Sequence, residues 1–190
     1  MCQGKTDLAF IVDSSGSLGE SNFQEAKNFV WTVIRNFEIS NNDTLVGVIR
    51  YSTRASVIFD FQFSADNNVL LLKETIDNIP FMEGETKTEL ALQLALTDLF
   101  SAKGGSRPDV PKILVVMTFG RSDNALGVAR ASMALRENRV TVLSVGIGEE
   151  VDMEELMLMA STAEDVISVK SFSALKKRVA RVSDKVCDGE

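Results

Sequence analysis

Three apolar runs, at 8–12, 113–118 and 140–146, constrain this chain most. Each is short, apolar and bounded by polar turns, the pattern of strands buried on both faces of a parallel sheet. Between them, apolar residues recur at helical spacing. Phe23, Ala26, Val30, Val33, Ile34 and Phe37 mark the buried face of a helix over 22–37. Further helices are expected over 69–78, 89–101, 123–137 and 152–160, and Phe172, Leu175, Val179, Val182 and Val186 line a terminal one. Residues 45–51 and 55–61 read as neighbouring strands joined by the short turn Ser52-Thr53-Arg54, and 166–169 as a last small strand. A link that short makes one edge of the sheet antiparallel. Strands alternating with helices give an α/β fold in three layers, a mostly parallel sheet with helices on both faces. At 190 residues, 45% of them hydrophobic, the chain is expected to form a single domain over 1–190, with its core at about 6–187.

The first run ends in Asp13-Ser14-Ser15-Gly16-Ser17, one carboxylate followed by two alternating hydroxyls. Gly16 lets the backbone turn tightly, so that Ser15 and Ser17 point inward together. A hydrated hard cation suits such a set, because Mg²⁺ takes oxygen ligands in an octahedron, keeps waters and tolerates few anionic groups. An ordinary strand-to-helix turn, with Asp or Ser capping the helix, has the same local pattern. In open parallel sheets, ligands bind outside the carboxyl ends of the strands. Asp13-Ser15-Ser17 lies at one such end and Thr118-Phe119-Gly120 at another.

Other features narrow the function. A net charge of −7 argues against nucleic acid and against anionic membrane surfaces, and no apolar run approaches a membrane span. The absence of histidine removes Ser-His-Asp and Cys-His catalysis together with His-based zinc sites. A Mg²⁺-dependent phosphatase-like enzyme is the remote alternative, since Asp13 ends the first strand. Asp13-x-Ser15 lacks the second carboxylate of such an enzyme, no P-loop follows any strand, and Gly146-x-Gly148 runs into Glu149-Glu150. Cys2 and Cys187 stand near opposite ends; a disulfide between them would contribute about 5 kcal/mol by chain-entropy arithmetic and imply an oxidising compartment. Two unpaired thiols are the alternative. Asn42-Asp43-Thr44 is an N-glycosylation sequon in a surface turn. The basic run Lys176-Lys177-Arg178 with Arg181 reads as a solvated helix face, and Met153, Met157 and Met159 as a helix packed on the sheet. The chain starts abruptly close to its first strand and without a signal-peptide core, as a domain of a larger protein would.

Asp13-x-Ser15-x-Ser17, Thr86 and the Thr118-x-Gly120 turn together resemble the von Willebrand factor A domain. Asn22-Phe23, Val46-Gly47-Val48, Thr86-x-Thr88, Ser144-Val145-Gly146-Ile147-Gly148, Glu154-Glu155-Leu156 and Cys187 follow in the family's order, so the resemblance covers essentially the whole chain. The terminal cysteines and the sequon resemble the extracellular matrix branch, collagen VI and the matrilins, related to the integrin inserted domains. The resemblance implies a Rossmann-like fold and adhesion through a metal-ion-dependent (MIDAS-type) site at the top of the sheet. Ser15 and Ser17 would bind Mg²⁺ or Mn²⁺ through their hydroxyls, Asp13 directly or through water, and Thr86 according to affinity state. An acidic side chain of a matrix partner, such as a collagen, would fill the open position. One departure stands out: the family's Thr-Asp-Gly is Thr118-Phe119-Gly120 here, and a phenyl ring cannot coordinate a cation. The site is then weakened or empty, and the second reading is a metal-independent interaction module using other faces. Asp123 is expected to cap the helix at 123–137 rather than to replace the missing carboxylate.

Overall fold

The computed structural model describes residues 4–187. Its strands are β1 (Thr6–Asp13), β2 (Thr44–Tyr51), β3 (Ala55–Phe59), β4 (Lys112–Thr118), β5 (Val140–Ile147) and β6 (Val166–Val169). They form one sheet in the order β3-β2-β1-β4-β5-β6. β1 lies inside it, paired in parallel with β2 and β4, so that Phe10 stands beside Val48 on one side and Val115 on the other. Among the described residues, only the β2–β3 pair at the edge is antiparallel.

The helices are α1 (Glu20–Ile34), α2 (Phe61–Asp66), α3 (Val69–Asp77), α4 (Thr88–Leu94), α5 (Ala125–Glu137), α6 (Met153–Met159), α7 (Phe172–Lys176) and α8 (Val179–Cys187). Because strand side chains alternate, β1 feeds two cores. Leu8, Phe10 and Val12 pack under α1, α3, α7 and α8. Ala9 and Ile11 pack under α2, α4, α5 and α6. Both faces are therefore covered, which is why the strands read as continuous apolar runs.

Several sequence expectations are corrected. The run over 55–61 stops at Phe59, because Asp60 accepts the Phe63 N–H (2.8 Å) and caps α2, a helix the alternating pattern had hidden. The expected helix at 89–101 is α4 continued by a π-helical stretch, Ala95–Leu99. The terminal helix is broken into α7 and α8, yet Phe172, Leu175, Val182 and Val186 keep one buried face. Of Met153, Met157 and Met159, only Met159 is buried; Met153 and Met157 are exposed.

The segment 104–108 fastens the other end of the sheet. Buried Asp7 at the foot of β1 accepts from Arg107 Nε (2.8 Å), the Arg107 backbone N–H (2.7 Å) and Ser106 Oγ (3.1 Å). This pins the amino ends of the strands. The carboxyl ends are left for the candidate site.

Candidate metal centre

Asp13 ends β1 with its carboxylate buried. Its Oδ1 accepts the Ser15 N–H at 2.7 Å, while Oδ2 has no hydrogen-bond partner. Burial raises the Asp13 pKa above the ordinary carboxylate range. The Ser15 hydroxyl, the Ser15 and Phe119 N–H groups and the Tyr51 hydroxyl act in the opposite sense without cancelling it. The Ser15 and Ser17 hydroxyls stand 3.2 Å apart. One oxygen of a buried carboxylate thus lacks a partner beside two converging hydroxyls, an arrangement in which a cation would offset the lost hydration.

Neighbouring loops are tied onto this turn. Gly16 donates to the Gly84 carbonyl (3.1 Å) and the Met82 N–H donates to Ser14 Oγ (2.8 Å). Gly84 has φ near +92° and lies against Thr53, a conformation and a packing that only glycine accommodates. The same loop carries Thr86 to the top of the sheet. Thr86 donates its N–H to Asp123 Oδ2 (3.0 Å) and accepts the Asp123 N–H (3.2 Å), and Lys87 donates to the Ser52 carbonyl (3.1 Å). Asp13, Ser15 and Ser17 therefore share one turn, and Thr86 reaches the same end of the sheet on a loop stitched to it.

Asp123 is not the helix cap. Asn124 holds that place, accepting the Gly127 N–H at 2.9 Å, while the Asp123 carboxylate is committed to Thr86 and stands 3.8 Å from Lys87 Nζ. Phe119 turns into the α1-side core. Its ring lies against Phe172, with centroids 5.2 Å apart, and it borders a cavity of about 330 Å³ with Asn22, Glu25 and Lys170. Gly120 follows at the Ser17 side, where an added Cβ would stand 4.0 Å from Ser17 Oγ. Among the described residues no cluster of three acidic, His or Cys side chains is placed to hold a metal. The donor set is one carboxylate and neutral hydroxyls, which fits a hard cation that keeps its waters.

Sequence reasoning missed Tyr51, which is fully buried beside Asp13 and bonded to the Thr88 hydroxyl (3.2 Å). Glu155 was named only within the run Glu154-Glu155-Leu156, without a role; its buried carboxylate accepts from Ser122 N–H and Oγ. Both read as core or surface residues along the chain, because the partners that explain them are distant in sequence. Asn42 stands exposed in the α1–β2 turn, at the opposite end of the sheet from Asp13. Lys177, Arg178 and Arg181 are exposed, and Lys176 pairs with Glu25 (2.7 Å). Cys2 and the Cys187 side chain, and with them the disulfide, lie outside the described residues.

The family model for the von Willebrand factor type A domain matches residues 7–181. Matrilin-1 of Gallus gallus is 32% identical, over 98% of this chain and 38% of its own length. The collagen alpha-1(XXI) chain of Homo sapiens is 31% identical, over 96% of this chain and 19% of its own. The chain therefore spans well under half of either relative. Among solved structures, proximal thread matrix protein 1 from the mussel byssus, with a zinc occupied MIDAS motif, superposes with a TM-score of 0.88. That likeness carries 27% identity and covers 98% of this chain and 46% of that one. Matrilins and collagens are secreted proteins of the extracellular matrix.

Proposed function

Because the chain belongs to the von Willebrand factor type A domain family, we propose that it works as an extracellular matrix interaction module whose top site takes a divalent cation. Asp13, Ser15, Ser17 and Thr86 would hold Mg²⁺ or Mn²⁺. The bound ion would supply an electrophilic position for an acidic side chain of a matrix protein such as a collagen. The observation that carries this reading is the buried, unpartnered Asp13 Oδ2 beside the Ser15–Ser17 hydroxyl pair. Zinc in the corresponding motif of the mussel protein supports it.

The chain's own residues do the rest. The Ser15 N–H fixes Asp13 Oδ1, leaving Oδ2 as the free acceptor. The Gly16–Gly84 and Thr86–Asp123 bonds hold the two loops at one end of the sheet. With a single anionic ligand, the site binds metal weakly and gains from a ligand carboxylate. No catalytic role is assigned to any of these groups.

One observation favours a second reading. Phe119 occupies the position of the family's second carboxylate and is used as core, against Phe172. On this reading the domain binds without metal, through other faces. Solid-phase binding to immobilised collagens in Mg²⁺ or in EDTA separates the two. Binding that needs Mg²⁺ and disappears in Asp13→Ala supports the metal site; equal binding in EDTA and in Asp13→Ala supports the second reading. The domain extent 1–190 and modification of Asn42 remain part of the proposal, the latter resting on an exposed side chain in the sequon.

A further inference from the structure

Arg50 interrupts the apolar alternation of β2. Val46 and Val48 precede it on the face under α1 and α3, so period two turns its side chain toward the same core. Arg50 is half-buried: among the described residues its buried Nε has no hydrogen-bond partner, while Nη1, at the surface, donates to the Pro80 carbonyl at 3.4 Å. Burial lowers the Arg50 pKa, and no carboxylate offsets that effect. A guanidinium carries five donors in a fixed fork and keeps its charge. Leaving one of those donors buried and free costs stability unless an acceptor arrives.

A cavity of about 440 Å³ opens beside it, lined by Arg50, Ser52, Thr53, Arg54, Ser56 and Gly84. Ser56 stands opposite Arg50 across the antiparallel pair. The Ser52 N–H donates to the Arg54 carbonyl (3.0 Å), closing the turn that brings the second arginine to the wall. Glu83 is the acidic residue among the lining. The cavity shares the 82–85 loop with the candidate metal centre: Gly84 accepts from Gly16, and Thr53 Oγ1 accepts from the Glu85 N–H (3.1 Å).

We propose that this Arg50–Arg54 cavity is an anion subsite that takes a second Asp or Glu carboxylate of the protein ligand whose first carboxylate meets the metal centre. The proposal rests on the metal-centre reading for that first carboxylate. A guanidinium fork matches a carboxylate in two parallel bonds. A peptide segment brings one such group at a time past a domain of net charge −7, whereas a sulfated glycan brings a dense negative field that the domain repels.

An oligo-glutamate peptide titrated into ¹⁵N-labelled domain, first in EDTA and then in Mg²⁺, tests it through the Arg50 Nε–H resonance. In EDTA that resonance shifts saturably. Arg50→Gln weakens binding about tenfold or more, the loss of a charge-assisted bond, and Arg54→Ala weakens it less. Mg²⁺ tightens binding in the unaltered protein, and Asp13→Ala removes that gain. An Arg50 resonance that stays still in the unaltered protein overturns the subsite whether or not the variants fold. So does saturation by a heparin oligosaccharide with oligo-glutamate silent. An Arg50 shift without any gain from Mg²⁺ retains the carboxylate subsite and overturns the metal centre instead.

Discussion

At the scale of single residues, Asp13 carries the account. A buried carboxylate with one oxygen unpartnered costs stability in the metal-free protein, so Asp13→Asn is expected to stabilise that state by about 1 kcal/mol. Thermal melts in EDTA read this directly. The sign with pH follows from the raised Asp13 pKa. Between the ordinary value of 3.8 and the raised one, the folded state binds more protons than the unfolded state, so this group's contribution falls as pH rises. The stability advantage of Asp13→Asn is therefore largest at neutral pH and shrinks as pH falls through the raised pKa toward 3.8. A gap that widens in acid would contradict the assignment. Phe119 makes the converse case. Phe119→Ala removes the ring packed on Phe172 and is expected to destabilise by about 3 kcal/mol, while leaving metal affinity unchanged.

At the scale of elements, the parallel strands were legible because burial on both faces leaves no polar alternation to confuse them. α2 was not, since Phe59, Phe61 and Phe63 continue a strand-like alternation and only the Asp60 cap ends it. Asp60→Ala is accordingly expected to cost about 1 kcal/mol, measured by denaturant unfolding. The break between α7 and α8 was hidden because the helical spacing of apolar residues runs through it. In the candidate site, Asp13, Ser15 and Ser17 were legible as a spacing within one turn. The tie from Asp123 to Thr86 was not, because capping preference alone made Asp123 a better cap than a loop clasp. The Asp7–Arg107 pair was hidden in the same way, one hundred residues apart in sequence. Arg107→Met strands a buried carboxylate and should cost about 3 kcal/mol in denaturant unfolding, with no change at the carboxyl end of the sheet.

At the scale of the whole molecule, the two ends of the sheet divide the work. The amino end is locked by Arg107 on Asp7, and the carboxyl end gathers the turn after β1, the 82–86 loop and the 118–123 loop. On the proposed function, a cation held at that end would dominate the local field and let an acidic domain receive an acidic partner. Calorimetric titration of Mg²⁺ and Mn²⁺ into the unaltered domain, Asp13→Ala and Phe119→Asp tests this most directly. The account predicts weak, saturable binding by the unaltered protein, none by Asp13→Ala, and roughly tenfold tighter binding by Phe119→Asp, since ligand charge sets affinity for a hard cation. Binding that survives Asp13→Ala, or silence from both the unaltered protein and Phe119→Asp, would contradict it.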